Sequence, residues 1–96
     1  MCFTMFSCSK GYRVRVSNYY MERLDSVIIG NRAVIFTNVE HGTDTGFEPI
    51  TSGEHAVECL TASGERFWIT APLPKGGEGD RTIQIDGLKE AIVLEF

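Results

Sequence analysis

The sequence predicts an all-β domain, an antiparallel β-sandwich of about seven or eight short strands, and three observations predict it. Apolar and polar residues alternate with period two in short runs: Tyr12, Val14 and Val16 against Arg13 and Arg15, and Ile83 and Ile85 against Thr82, Gln84 and Asp86. Such alternation marks a strand with one face buried and one wetted. The runs recur at spacings of roughly 8–12 residues, separated by Gly, Pro, Asn, Asp and Ser, as in sandwiches. Nothing between them carries a helical period. An up-and-down barrel is the other architecture that fits this spacing.

The first strand is expected from Lys10 to Ser17, with Tyr12, Val14 and Val16 inward and Asn18 as its break. Tyr20 to Leu24 is compatible with a single helical turn, whereas Asp25 to Ile29 reads as a strand, closed by the turn pair Gly30-Asn31. Ala33 to Thr37 forms the returning arm, with Val34 and Phe36 on one face. His41 to Gly46 is a polar, glycine-rich loop. Thr45 to Ile50 is a short strand whose Pro49 cannot donate to a ladder, which assigns it to a sheet edge. In His55 to Thr61, the charge of Glu58 fixes the parity, with Val57 and Cys59 inward and Ala56 and Leu60 outward. Ala62 to Glu65 turns the chain into Arg66–Thr70, where Phe67 and Ile69 alternate with Trp68, and Pro72 and Pro74 are expected to stop that strand. Lys75 to Asp80 is the loosest stretch; Arg81 to Asp86 and Ala91 to Phe96 are the last strands, with Ile92, Leu94 and Phe96 as the apolar face of the final one.

Ninety-six residues make one domain, and a composition of 43% hydrophobic and 23% charged residues is that of a folded chain. The formal net charge of −4 argues against a nucleic-acid partner, because phosphate affinity rests on clustered Lys and Arg. Charge is unevenly spread. Residues 1–35 carry five basic and two acidic side chains, and residues 36–96 carry four basic and eleven acidic ones. Basic early strands lying beside acidic later ones account for this, with a polarised steering surface as the alternative.

Residues 1–9 stand apart from the domain of 10–96. Met5-Phe6-Ser7-Cys8 resembles the lipobox of bacterial lipoproteins, in which an apolar and a small residue precede the cysteine that is acylated. That resemblance implies a truncated leader, lipidation at Cys8, contact with a membrane only through that anchor, and a place in the bacterial cell envelope. The other reading of the same residues is a short apolar first strand or a terminus, with Cys8 an ordinary thiol.

A second resemblance lies in the middle of the chain. Gly42-Thr43-Asp44-Thr45-Gly46-Phe47-Glu48-Pro49-Ile50, then Gly53-Glu54-His55-Ala56-Val57, then Thr61 to Phe67, resemble the cadence of PEGA-type and carboxypeptidase-regulatory-like domains. These are transthyretin-like sandwiches, and the likeness implies a non-catalytic module with a transthyretin- or immunoglobulin-like fold. It covers about a third of the chain.

Residues able to do chemistry are sparse. His41 and His55 are the only histidines, and with nearby carboxylates they define the alternative reading, a small cytoplasmic hydrolase or metal-dependent enzyme. His55 and Cys59 share a strand face, but at about 3.3 Å per residue they stand about 13 Å apart, too far for one metal ion. No Gly-x-Ser-x-Gly elbow is present, and Gly76-Gly77-Glu78-Gly79 lacks the Lys-Ser/Thr ending of a phosphate loop. No cofactor is expected. Trp68, opposite in parity to Phe67 and Ile69, is the candidate binding residue, flanked by Arg66, with Tyr19 and Tyr20 as a second aromatic contribution. An exposed tryptophan anchors a protein or stacks on a sugar; covering by a loop, by the leading residues or by Leu60 is the competing expectation. The predicted function is therefore a non-catalytic binding or assembly module with a protein or carbohydrate partner. Edge-to-edge pairing through Ala91–Phe96 or Thr45–Ile50 is a further route to assembly.

Overall fold

A computed structural model describes residues 11–95 of the chain. Eight strands follow in order: β1 (Tyr12–Asn18), β2 (Leu24–Ile29), β3 (Val34–Val39), β4 (Glu48–Ile50), β5 (Gly53–Thr61), β6 (Arg66–Leu73), β7 (Gly79–Ile85) and β8 (Ala91–Glu95). They form two four-stranded sheets, ordered β4-β1-β7-β8 and β3-β2-β5-β6, and the fold is an all-β sandwich. Lys10, Cys8 and the other leading residues lie outside the described part of the chain, as does Phe96.

Alternation dictates the core. Val14 and Val16 of β1, Val27 and Ile29 of β2, Val57 and Cys59 of β5, and Ile83 and Ile85 of β7 are fully buried between the sheets. The intervening Arg13, Arg15, Glu58 and Gln84 point to the outside or to partly covered positions. Opposite charges meet across the strands: Arg13 lies in register with Asp80 and donates two hydrogen bonds to it, at 2.9 and 2.8 Å. Those bonds hold the Asp80 carboxyl below its usual range. Arg66 pairs with Glu58 at 3.1 Å, so the uneven charge of the sequence is used locally, pair by pair.

Several expectations are corrected. The sandwich is not wholly antiparallel: β1 and β7 run parallel along seven residue pairs, from Tyr12 opposite Gly79 to Asn18 opposite Ile85. Asn18 does not break β1 but ends it, fully buried. Residues 20–22 form bends rather than a helical turn, because Tyr20 is drawn into the core. Strand β4 is shorter than expected, although it does occupy a sheet edge. Pro72 does not stop β6, which runs on to bury Ala71 and Leu73; β6 is itself an edge strand, where a missing N–H is tolerated. In β8 the parity is opposite to that expected. Ala91 and Val93 lie opposite Ile85 and Ile83 and pack on the core, while Ile92 lies opposite Gln84 and is exposed.

Cys59 is fully buried, and burial pushes its thiol up to about 12. The thiol is therefore protonated at neutral pH and shielded from reagents. In a variant with Cys2 and Cys8 replaced by Ser, maleimide labelling at neutral pH is expected only after urea unfolding. Rapid labelling of the folded chain contradicts the packing of β5.

Candidate functional site

The outer face of the β3-β2-β5-β6 sheet is built from residues of one parity. Register sets Ile35, Ile28, Glu58 and Trp68 in a row across its four strands. In the neighbouring row Thr37, Ser26, Leu60 and Arg66 lie side by side. Trp68 is 63% exposed, because Phe67 on one side of it turns inward to the core and the ring is left on the outer face. Leu60 stands beside it and does not cover it. A shallow groove of about 370 Å³ runs along the ring, lined by Ile28, Asn31, Arg32, Ala56, Glu58 and Trp68.

The polar rim of this groove has two origins. Glu58 comes from the strand beside Trp68, and its carboxylate is held by Arg66 at 3.1 Å. Asn31 and Arg32 come from the β2–β3 turn, where Gly30, Asn31 and Arg32 all have left-handed backbone, with φ of 63, 56 and 73°. Gly30 donates its N–H to the Ala56 carbonyl at 2.9 Å, which ties the turn to β5 at the groove floor. Asn31 tolerates left-handed backbone better than most residues, and Arg32 holds it at a modest cost.

The other candidate residues lie elsewhere. Arg66 is on the Trp68 face, as expected. Tyr19 is 54% exposed but sits at the end of β1, its N–H bonded to the Ile85 carbonyl at 2.8 Å, away from the groove. Tyr20 is not a surface residue: it is 3% exposed and its ring lies 5.3 Å from that of Phe67. Its hydroxyl donates to Glu65 at 3.3 Å, so the side chain closes one end of the sandwich. Cys8 falls outside the described residues.

His41 and His55 are held at opposite ends of β1. His41 donates from Nδ1 to the Tyr20 carbonyl, just beyond the end of that strand. His55 lies beside Gly30 and donates from Nε2 to the carbonyl of Thr51 at 2.7 Å, the residue after Ile50, which pairs with Tyr12 at the start of β1. Six steps of strand separate these ends, about 20 Å. Among the described residues no three His, Cys, Asp or Glu side chains are grouped to hold a metal ion.

A larger cleft, of about 520 Å³, opens between β1 and β4, lined by residues 11–13 and 49–52. Its one charged side chain, Arg13, is committed to Asp80, and Tyr12 is turned into the core, where its hydroxyl donates to the Pro74 carbonyl at 2.6 Å. With Arg13 and Tyr12 engaged, the hydroxyls of Thr51 and Ser52 are what the cleft offers a ligand, and it has no exposed aromatic ring, so the smaller groove beside Trp68 is the better candidate.

No protein-family model and no curated protein matches this chain. Among solved structures, the NMR structure of a protein from Eubacterium rectale is similar, with a TM-score of 0.58 and 15% identity over 91% of this chain and 89% of that one. At this identity the likeness concerns the fold alone.

Proposed function

We propose that the domain is a non-catalytic binding module whose contact surface is the groove beside Trp68, and that it works at the bacterial cell envelope, tethered through an acylated Cys8. One observation carries the binding reading: the largest exposed aromatic ring among the described residues stands on an outer sheet face with a polar rim beside it. Burying that ring is the strongest anchor the surface offers. The rim consists of an amide, a guanidinium and a carboxylate already held by Arg66, a set suited to directing hydrogen bonds. The tether rests on the sequence of Met5 to Cys8 alone, and mass analysis of the native protein, finding acyl chains on Cys8 or an unmodified thiol, decides it.

The binding reading is tested by amide NMR of the intact chain against a library of small polar and aromatic fragments. Shift changes are expected to gather on Ile28, Asn31, Arg32, Ala56, Glu58 and Trp68. Changes that gather instead on Gly11, Pro49 and Ile50, with Trp68 unmoved, assign binding to the β1–β4 cleft and overturn it.

A further inference from the structure

We propose that the occupant of the Trp68 surface is a second copy of this chain, joined edge to edge through β6 into one continuous sheet; this rests on the Trp68 surface being the contact surface. The inference comes from the backbone groups that β6 leaves unpaired, from the devices that close the other sheet edges, and from the symmetry of the free run.

Strand β6 ends its sheet, so one side of its backbone has no neighbouring strand. The ladder decides which residues are left over. Thr61 donates its N–H to the Glu65 carbonyl at 2.8 Å, which makes these two an opposed, hydrogen-bonded pair. Such pairs alternate along the hairpin, with Leu60 opposite Arg66 and Cys59 opposite Phe67. Phe67, Ile69, Ala71 and Leu73 are therefore the β6 residues bonded to β5. The other side of β5 agrees: Gly30 donates to the Ala56 carbonyl at 2.9 Å, so Ala56, Glu58 and Leu60 bond toward β2 and the residues between them toward β6. Arg66, Trp68 and Thr70 turn both N–H and C=O to the open edge. Pro72, next in that series, has no N–H to offer there.

Unpaired edges invite another strand, and natural sheets blunt them with prolines, irregular backbone and short strands. The other three edges carry such devices. Strand β4 has three residues, one of them Pro49. Strand β3 holds a left-handed residue within its span, Asn38 with φ of 53°. Strand β8 has five residues against the eight of β6. From Arg66 to Thr70, β6 has neither a proline nor a left-handed residue. The one charge in that run, Arg66, is held by Glu58, and at its centre stands the ring of Trp68, 63% exposed.

The free run is complementary to itself. Two β6 strands placed antiparallel about a two-fold axis at Trp68 set Trp68 opposite Trp68 of the second copy, and Arg66 opposite its Thr70. Each of the opposed pairs exchanges two hydrogen bonds, and every free N–H and C=O from Arg66 to Thr70 is used. A register shifted toward Leu73 drives the Pro72 ring against the neighbouring backbone, and one shifted toward Glu65 loses a pair to the turn. No like charges stand opposite each other in the register centred on Trp68. On the outer face the two indole rings become cross-strand neighbours, their Cα atoms about 5.5 Å apart. The row of Ile35, Ile28, Glu58 and Trp68 then continues across the axis into its own repeat. Three residues a side make a contact well below the roughly 800 Å² a side of a stable interface, so the dimer is weak and concentration-dependent.

Trp68 is the sole tryptophan of the chain, so its emission reports on this contact alone. The intact protein is followed by sedimentation equilibrium and by fluorescence up to about 1 mM, where weak association is visible. Expected is a monomer–dimer equilibrium in which Trp68 emission shifts to the blue and acrylamide quenching weakens as dimer forms. Substitutions at the exposed Thr70 read the register. Thr70→Lys sets a like charge opposite Arg66 of the second copy and weakens association several-fold, whereas Thr70→Glu strengthens it. Overall charge works the other way, because in a chain of net −4 an added lysine lessens repulsion between copies. Thr70→Pro removes an N–H that faces the open edge and not β5, and abolishes association while the domain still melts cooperatively. A dimer that none of these changes affects pairs through another surface and overturns the inference. A chain that stays monomeric at about 1 mM overturns it too; if fragments still gather at the groove, the binding surface stands without the second copy. If the chain stays monomeric and fragments gather at the β1–β4 cleft, both readings fall.

Discussion

Replacing Asn18 by Ala is expected to cost about 3 kcal/mol or more, a large share of the roughly 5–15 kcal/mol that holds a domain together. The side chain is fully buried at the end of β1. Its Nδ2 donates to the carbonyls of Glu22 and Val39, at 3.0 and 2.9 Å, and its Oδ1 accepts from the Tyr20 N–H at 2.8 Å. Its backbone N–H donates to the Thr43 carbonyl, and its carbonyl accepts from the Gly42 N–H. One residue therefore holds the approach to β2, the end of β3 and the loop beyond it. Alanine keeps the backbone bonds and removes three side-chain hydrogen bonds at a buried position, each worth about 1 kcal/mol and more where its partner is left unsatisfied. The melting temperature should fall by roughly 12–24 °C, and a fall of only a few degrees contradicts the clamp. Asn18→Asp is the sharper variant. It keeps the acceptor but turns a carboxylate toward two carbonyls, which raises its pKa in the folded state. A group with a raised folded pKa stabilises most below its unfolded pKa, so Asn18→Asp should be worst at neutral pH and recover toward about pH 4.

The second large effect is expected at Gly30. Its φ of 63° is left-handed, and a Cβ built there lies 2.8 Å from Nδ1 of His55 and 3.4 Å from Cδ1 of Ile50. A β-branched residue meets both difficulties, the backbone cost of about 1–2 kcal/mol and the contact with His55. Gly30→Val should lose about 2–3 kcal/mol in urea unfolding. Substituting in a His55→Ala background separates the terms: there the contact with His55 is gone and the loss should shrink toward the backbone cost. Equal losses in both backgrounds would mean that the contact with His55 plays no part. Because the same turn carries Asn31 and Arg32, Gly30→Val should also weaken any ligand held at the Trp68 groove.

Strands were legible in the sequence wherever a charge interrupted the apolar run. Glu58 fixed the parity of β5, and the arginines of β1 fixed that strand. In β8 five residues, Ala91 to Glu95, offer four apolar side chains in succession, and a continuous run has no parity to read. Only pairing with Ile83 and Ile85 decides that Ala91 and Val93 face inward. Tyr19 and Tyr20 posed the same difficulty, since two adjacent tyrosines after a strand end are separated by packing and not by pattern. Trp68 was legible because its neighbours have clear parity. Its groove partners were not: Gly30-Asn31 announces a turn, but that the turn lies beside Trp68 follows from the order β3-β2-β5-β6, which local sequence does not encode. Asn18 escaped for a related reason. A polar residue after a strand reads as a terminator, and its role depends on carbonyls up to 21 residues away.

The parallel partnership of β1 and β7 sets the order in which this chain becomes a protein. The sheet β3-β2-β5-β6 draws on one contiguous stretch, from Leu24 to Leu73, and its pairings can form as that stretch is synthesised. Strand β1, made before any of them, finds β4 early but gains its long neighbour only when residues 79–85 exist. Closing a loop of that length before any contact rewards it is the slow step typical of sandwiches, on the scale of milliseconds to seconds. Until then the apolar inner face of the first sheet has no complete cover. The beginning of the chain thus waits for its end, and cells must keep the half-built sheet from neighbouring chains for that interval.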